Sequence, residues 1–138
     1  MARILALDYG TKRTGVAITD PFQLIASGLT TVATEDLWDF LEQYLQEEDV
    51  ERIVVGEPRQ MDNTPSEVEG AISAFLKELN KRYPKLPVSR QDERFTSKMA
   101  LRTMVEGGMK KKKRRQKETL DQISATLILQ SYLSRKTP

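Results

Sequence analysis

Four consecutive apolar residues, Ile4-Leu5-Ala6-Leu7, run into a carboxylate, Asp8, and then into Tyr9-Gly10. An apolar run without alternation predicts a strand covered on both faces, and so a central strand with a layer of structure on each side. That points to an α/β layered fold. Asp8 falls where such a strand ends, and in open α/β sheets ligands gather at the carboxyl ends of central strands. Gly10 would let a phosphate or a metal ion approach the backbone closely. The competing reading makes Asp8 an ordinary turn former after a strand.

Composition narrows the chemistry. The chain of 138 residues holds no cysteine and no histidine, which excludes disulfides, thiolate or imidazole metal sites, a Ser-His-Asp triad and a Cys-His pair. Catalysis, if present, must use carboxylates, lysine, hydroxyls or a hard metal. The length suits one domain over residues 1–138 with a proper core. No apolar leader stands at the amino terminus and no run of about eighteen apolar residues occurs, so the expected location is the cytoplasm, without membrane association.

Periodicity and punctuation place the remaining elements. The first strand spans about 3–8, and Gly15 to Thr19 reads as a second, joined by a short turn. A third fits within 24–32, with Gly28 as a bulge. Thr34 is placed to cap a helix whose apolar spacing runs from Leu37 to Leu45. A fourth strand covers about 52–56 and ends at Glu57-Pro58. Thr64-Pro65 opens a second helix with its stripe on Val68, Ile72, Phe75, Leu76 and Leu79. Residues 86–92 form the fifth strand. Thr96 caps a short helix that Gly107-Gly108 stops, and a last helix runs from about Lys117 to Ser134. Three strands in a row, then strands alternating with helices, predict a mixed sheet with helices on both faces.

Asp121 lies on the apolar side of that last helix. At 100° per residue from Leu120, the positions Ile123, Leu127, Ser124, Ile128, Asp121 and Ala125 share one arc from about 300° round to 140°. An ionised carboxylate there costs several kcal/mol unless it is paired or bound to a cation. It is therefore either a metal ligand or the salt-bridge partner of an arginine such as Arg13 or Arg94. Ser124 and Ala125 are small enough to let the helix lie close to the sheet. Gln91-Asp92-Glu93-Arg94 closes the fifth strand, where alternation turns Asp92 and Glu93 to opposite faces. Acids at the ends of strands one, four and five, with one on a facing helix, make an oxygen cluster suited to Mg²⁺ or Mn²⁺.

The net charge of +2 conceals an asymmetry: residues 101–138 carry ten Lys/Arg against three acids, while residues 1–100 carry twelve against seventeen. Most of the excess is the run Lys110, Lys111, Lys112, Lys113, Arg114, Arg115, Gln116, Lys117. Such a run reads as a mutually repelling loop that gains by meeting a polyanion, which points to nucleic acid. The alternatives are a solvated stretch that aids solubility and a targeting-like basic cluster.

Four blocks in order carry a family resemblance over nearly the whole chain. They are Asp8-Tyr9-Gly10-Thr11-Lys12-Arg13-Thr14-Gly15-Val16-Ala17; Val55-Gly56-Glu57-Pro58 with Met61-Asp62-Asn63-Thr64; Asp92-Glu93-Arg94-Phe95-Thr96-Ser97; and Leu120-Asp121-Gln122-Ile123-Ser124-Ala125. Together they resemble the YqgF/RuvX family of bacterial proteins. The resemblance implies a ribonuclease H-like fold, a five-stranded mixed sheet of order 3-2-1-4-5. It also implies a nuclease maturing the 5′ end of pre-16S ribosomal RNA, with Holliday junction resolution as the older proposal. The implied partners are structured RNA, branched DNA and a pre-ribosomal particle.

Carried over residue by residue, the family pattern puts the acidic site on Asp8, Glu93 and Asp121. The implied mechanism is phosphodiester hydrolysis assisted by two divalent ions. Lys12, Arg13, Arg94 and the basic run from Lys110 through Arg115 to Lys117 would position the phosphate backbone. Related resolvases carry a carboxylate where Glu57 stands, whereas many family members have an apolar residue there, so Glu57 is either a supplementary ligand or variation. Asp92 is open in the same way, as a ligand or a structural partner. Two other classes compete. The Asp-x-Gly-Thr turn also resembles the first phosphate loop of actin-like ATPases, but one domain of this length lacks their second loop. A non-catalytic RNA-binding factor would keep the acids as a weak metal site.

Overall fold

The computed structural model describes residues 2–57, 68–92 and 113–136, with the side chains of 113–119 and 136 outside that description. Five strands form one sheet: β1 (Arg3–Asp8), β2 (Arg13–Thr19), β3 (Ala26–Ala33), β4 (Val50–Glu57) and β5 (Val88–Asp92). Their order is β3-β2-β1-β4-β5. The pairs β1–β2 and β2–β3 are antiparallel, as short connections require, while β1–β4 and β4–β5 are parallel and need crossovers. Among the described residues three helices cover it: α1 (Leu37–Glu47), entered through a 3-10 turn at Thr34–Asp36, α2 (Glu69–Arg82) and α3 (Lys113–Lys136).

β1 is covered on both faces, as its unbroken apolar run predicts. Leu5 and Leu7 pack with Val16, Ile53 and Val55 against Leu37 and Leu41 of α1 and Ile72, Phe75 and Leu79 of α2. Ile4 and Ala6 turn the other way, packing with Ala17 and Val54 against Ala125, Ile128, Leu129 and Tyr132 of α3. Positions of even number on β1 therefore face α3, and Asp8 continues that set.

Several boundaries differ from the pattern in the sequence. β2 starts at Arg13, so the turn between the first two strands is tighter than expected. α3 starts at Lys113, so the second half of the basic run is helical rather than a loop; lysine, arginine, glutamine and glutamate all favour helix. Thr34 does not cap α1, because its hydroxyl donates to the Gly10 carbonyl at 2.6 Å. Gly28 does sit at a bulge: pairing steps from Val16↔Thr30 to Ala17↔Gly28 and passes over Leu29. The short helix expected after Thr96, and the helix start expected at Thr64-Pro65, lie outside the described residues. On α3, Ser124, Ala125, Ile128, Leu129 and Tyr132 are buried, whereas Leu120, Ile123 and Leu127 are only partly so. The buried arc is turned by about 70° from the expected one, which brings its centre onto the Asp121 direction.

Candidate active site

Asp8 ends β1 directly opposite Gly15 of β2. Gly15 is where α3 lands: a Cβ built on it would stand 2.0 Å from the Asp121 carbonyl oxygen and 2.5 Å from its carbon. Only a residue without a side chain permits that approach. Because Asp8 and Gly15 are cross-strand partners and Gly15 touches the Asp121 backbone, the α-carbons of the two aspartates lie within about 11 Å of each other. Two acids remote in sequence thus lie near the same end of the central strand.

The loop between them is held by its own hydrogen bonds. The Thr34 hydroxyl that donates to Gly10 also shares a hydrogen bond of 3.0 Å with the Thr14 hydroxyl, and the Thr34 N–H donates to the Lys12 carbonyl at 2.9 Å. Gly10 is required here by the turn itself, since a Cβ would meet the Arg13 carbonyl oxygen at 2.5 Å. A close approach of ligand is not needed to explain that glycine. Tyr9 turns away from the site and packs at 5.0 Å, its ring tilted, against Phe75, anchoring the loop to the opposite core.

Arg13 faces α3 and donates from Nε to the Asp121 carboxylate at 2.8 Å. The salt-bridge partner foreseen for Asp121 is thus present. The pair is only partly withdrawn from water, with 37% of the arginine side chain and 20% of the aspartate exposed. Lys12, on the preceding turn, is exposed.

The other acids divide by strand parity. Glu57 pairs in register with Asp92, and both continue the set of Val55, Val88 and Arg90 that faces α1 and α2. They stand on the opposite face from Asp8, so alternation removes Glu57 from the expected cluster. On that face Arg90 grips Glu69 of α2 with both Nη atoms, at 3.1 and 3.0 Å, and donates to the Gly56 carbonyl at 2.9 Å. The position of β4 on Asp8's own face is Gly56, which contributes no side chain beside the Asp8 carboxylate. Among the described residues no group of three potential ligands forms. Glu93, Arg94 and Lys110, Lys111 and Lys112 lie outside them, and of Lys113, Arg114 and Arg115 only the helical backbone is described.

Sequence reasoning missed the positions that make the meeting of Asp8 and Asp121 possible, Gly15 and the Thr14–Thr34 pair. Counting back across a tight hairpin from Asp8 would have found Gly15. Nothing local signals the threonine pair.

A family model described as "RuvX: Holliday junction resolvase" matches residues 2–135. A protein of Christiangramia forsetii named "Putative pre-16S rRNA nuclease" is 63% identical over 133 residues, covering 96% of this chain and 98% of its own. A protein of Bacteroides fragilis with the same name is 55% identical over 136 residues, covering 99% of both. Among solved structures, T. thermophilus RuvC in complex with a Holliday junction substrate superposes with a TM-score of 0.56 at 16% identity, covering 99% of this chain and 98% of that one. At that identity the likeness is one of fold.

Proposed function

The chain belongs to the RuvX family, and we propose that it is a nuclease hydrolysing phosphodiester bonds in structured RNA, with the 5′ leader of pre-16S rRNA as its substrate. The observation that carries this reading is the landing of α3 on Gly15, which joins Asp121 to Asp8 at one sheet end. The names of the relatives and the ribonuclease H-like fold shared with RuvC support it.

The donors gathered at that end fit a hard divalent cation, since they are carboxylate oxygens in a chain with no histidine or cysteine. Asp8, Asp121 and Glu93 would hold Mg²⁺ or Mn²⁺, which supplies charge neutralisation at the phosphate and activation of water for attack at phosphorus. Arg13 aims the Asp121 carboxylate through its Nε contact. Lys12 and the basic run bind the phosphate backbone, with Arg94 beside the acidic block. The first turn of α3 carries no acid, so its lysines and arginines oppose the helix dipole and gain from a phosphate placed there. Lys117 stands one turn from Asp121, about 6 Å along the axis.

The test is cleavage of a labelled pre-16S leader RNA and of a four-way DNA junction, with Mg²⁺ or Mn²⁺. Wild type should cut the RNA, and Asp8→Asn and Asp121→Asn should each lower the rate by at least about a hundredfold. Cutting of the junction alone would move the substrate to branched DNA. RNA binding without cleavage under any divalent ion would leave the chain a non-catalytic binding factor and overturn the proposal.

A further inference from the structure

At the sheet end opposite Asp8, a groove of about 830 Å³ opens between the end of α1, the start of β4 and the turn into β5. Its floor is apolar, with Leu45, Val50, Tyr83 and Leu86 all partly buried against the core beneath. Its rim is acidic. Glu42, Glu47, Glu48 and Asp49 line it against one cation, Lys85. The rim is also held firm: Arg3 donates to Glu48 at 3.4 Å and to the Thr19 carbonyl at 2.9 Å, and its N–H donates to the Asp49 carbonyl at 2.8 Å.

The hairpin that follows Thr19 reaches the same end. Asp20 accepts N–H bonds from Phe22, Leu24 and Ile25 at 2.7 to 3.0 Å, and Gln23 is held at φ 60. The loop thereby holds Phe22, Leu24 and Ile25 outward, each more than 60% exposed. An apolar knob and an apolar groove at one end of the sheet have the character of a protein-contact surface. Its negative rim repels phosphate, so nucleic acid is disfavoured there.

We infer that this groove docks a lysine- or arginine-rich amphipathic segment of another protein, its apolar side chains on the Leu45–Leu86 floor and its cations on the Glu42–Asp49 rim. The helix-in-groove mode supplies the chemistry: apolar anchors at i, i+3 and i+4 give affinity, and complementary charge gives orientation and encounter rate. The groove lies at the other end of the sheet from Asp8 and Asp121, so a nuclease could be tethered through it while the acidic site stays open to RNA.

The probe is an 18-residue fluorescein-labelled peptide of leucine and lysine in helical amphipathic order, titrated into the full chain without RNA. Binding should be saturable, with NMR amide shifts confined to Leu45, Val50, Tyr83, Leu86 and their neighbours. Glu42→Lys with Glu47→Lys should weaken it roughly tenfold or more, and Glu42→Gln with Glu47→Gln by a smaller factor. Both positions are exposed, and RNA cleavage by these variants should match wild type. A peptide of equal charge with serine for leucine should bind at least about tenfold more weakly. Equal binding by the serine peptide, or no effect of the substitutions, would reduce the groove to general electrostatics and overturn the inference. Shifts at Leu45, Val50 and Leu86 on adding a 12-nucleotide single-stranded RNA would assign the face to nucleic acid instead. A wild-type dimer in sedimentation that the lysine variant dissolves would assign it to a second copy of this chain.

Discussion

Replacing Gly15 by alanine tests the contact on which the candidate site depends. The added Cβ would stand 2.0 Å from the Asp121 carbonyl oxygen, 2.5 Å from its carbonyl carbon and 3.1 Å from its Cβ. The obstructing atoms are backbone, so no rotamer change relieves the clash, and α3 must lift by more than about 1 Å to restore ordinary contact. Lifting it loosens Ala125, Ile128, Leu129 and Tyr132 from Ile4, Ala6, Ala17 and Val54. Overpacking of this kind costs about 2–4 kcal/mol, which in a chain of this length lowers the melting temperature by about 6–15 °C. Cleavage should fall further than stability requires, by about a hundredfold at a temperature where the variant is still folded, because Asp121 is displaced from Asp8. Gly28→Ala is the control: its nearest neighbours are the side-chain atoms Thr126 Oγ1 at 3.3 Å and Gln122 Cβ at 3.4 Å, and it should cost less than about 1 kcal/mol. Thermal and urea melts decide. A Gly15→Ala variant melting within about 2 °C of wild type would refute the seating of α3 on β2.

Gly70, in the first turn of α2, has nothing within 4 Å of its Cβ position, so Gly70→Ala should stabilise the protein by about 0.5 kcal/mol, read as a higher urea midpoint. The Ile25 N–H, with those of Leu24 and Phe22, holds the Asp20 carboxyl below its ordinary value of 3.8. A lowered folded value means its contribution is complete above pH 3.8 and lost as pH falls through that lower value, so the Phe22, Leu24 and Ile25 amide shifts should titrate below 3.8; a midpoint at or above it would contradict the loop geometry. Changing Lys110, Lys111, Lys112 and Lys113 to alanine should weaken RNA binding and flatten its salt dependence by about 0.7 in logarithmic slope per lost phosphate contact, while cleavage at saturating RNA persists. An unchanged slope would show the run to be merely solvated.

What was legible followed from local pattern. The unbroken run Ile4–Leu7 marked a strand with two covers, and both covers exist. The order of elements marked a mixed sheet, and the family blocks supplied the strand order, which the sheet follows. Glu57 shows why the cluster was over-read: a residue at a strand end is legible, but its face depends on register, and register placed Gly56 rather than Glu57 beside Asp8. The helical start at Lys113 was hidden for a different reason. Like charges suggested a loop, yet each residue in that stretch is individually a good helix former, and charge repulsion along a helix is weak enough for propensity and the packing further along α3 to prevail.

Of the two readings that the sequence left open for Asp121, the structure shows the ion pair. Its arc on α3 demanded either an arginine or a cation, and the structure supplies Arg13 at 2.8 Å. A carboxylate carried into a helix–sheet seam cannot wait uncompensated for a metal ion, because an unpaired charge there would oppose the seating of α3 on Gly15. A fully buried partner would meet that need but lock the pair, since separating it would strand a charge in a dry interior. The Arg13 side chain is instead 37% exposed, so its guanidinium can swing into water at modest cost when another positive charge takes its place. Partial exposure thus lets Arg13 hold the helix in place without locking the Asp121 carboxylate into a dry pair. Arg13→Gln, which keeps a hydrogen bond but removes the charge, should lower stability without divalent ions more than it does with them.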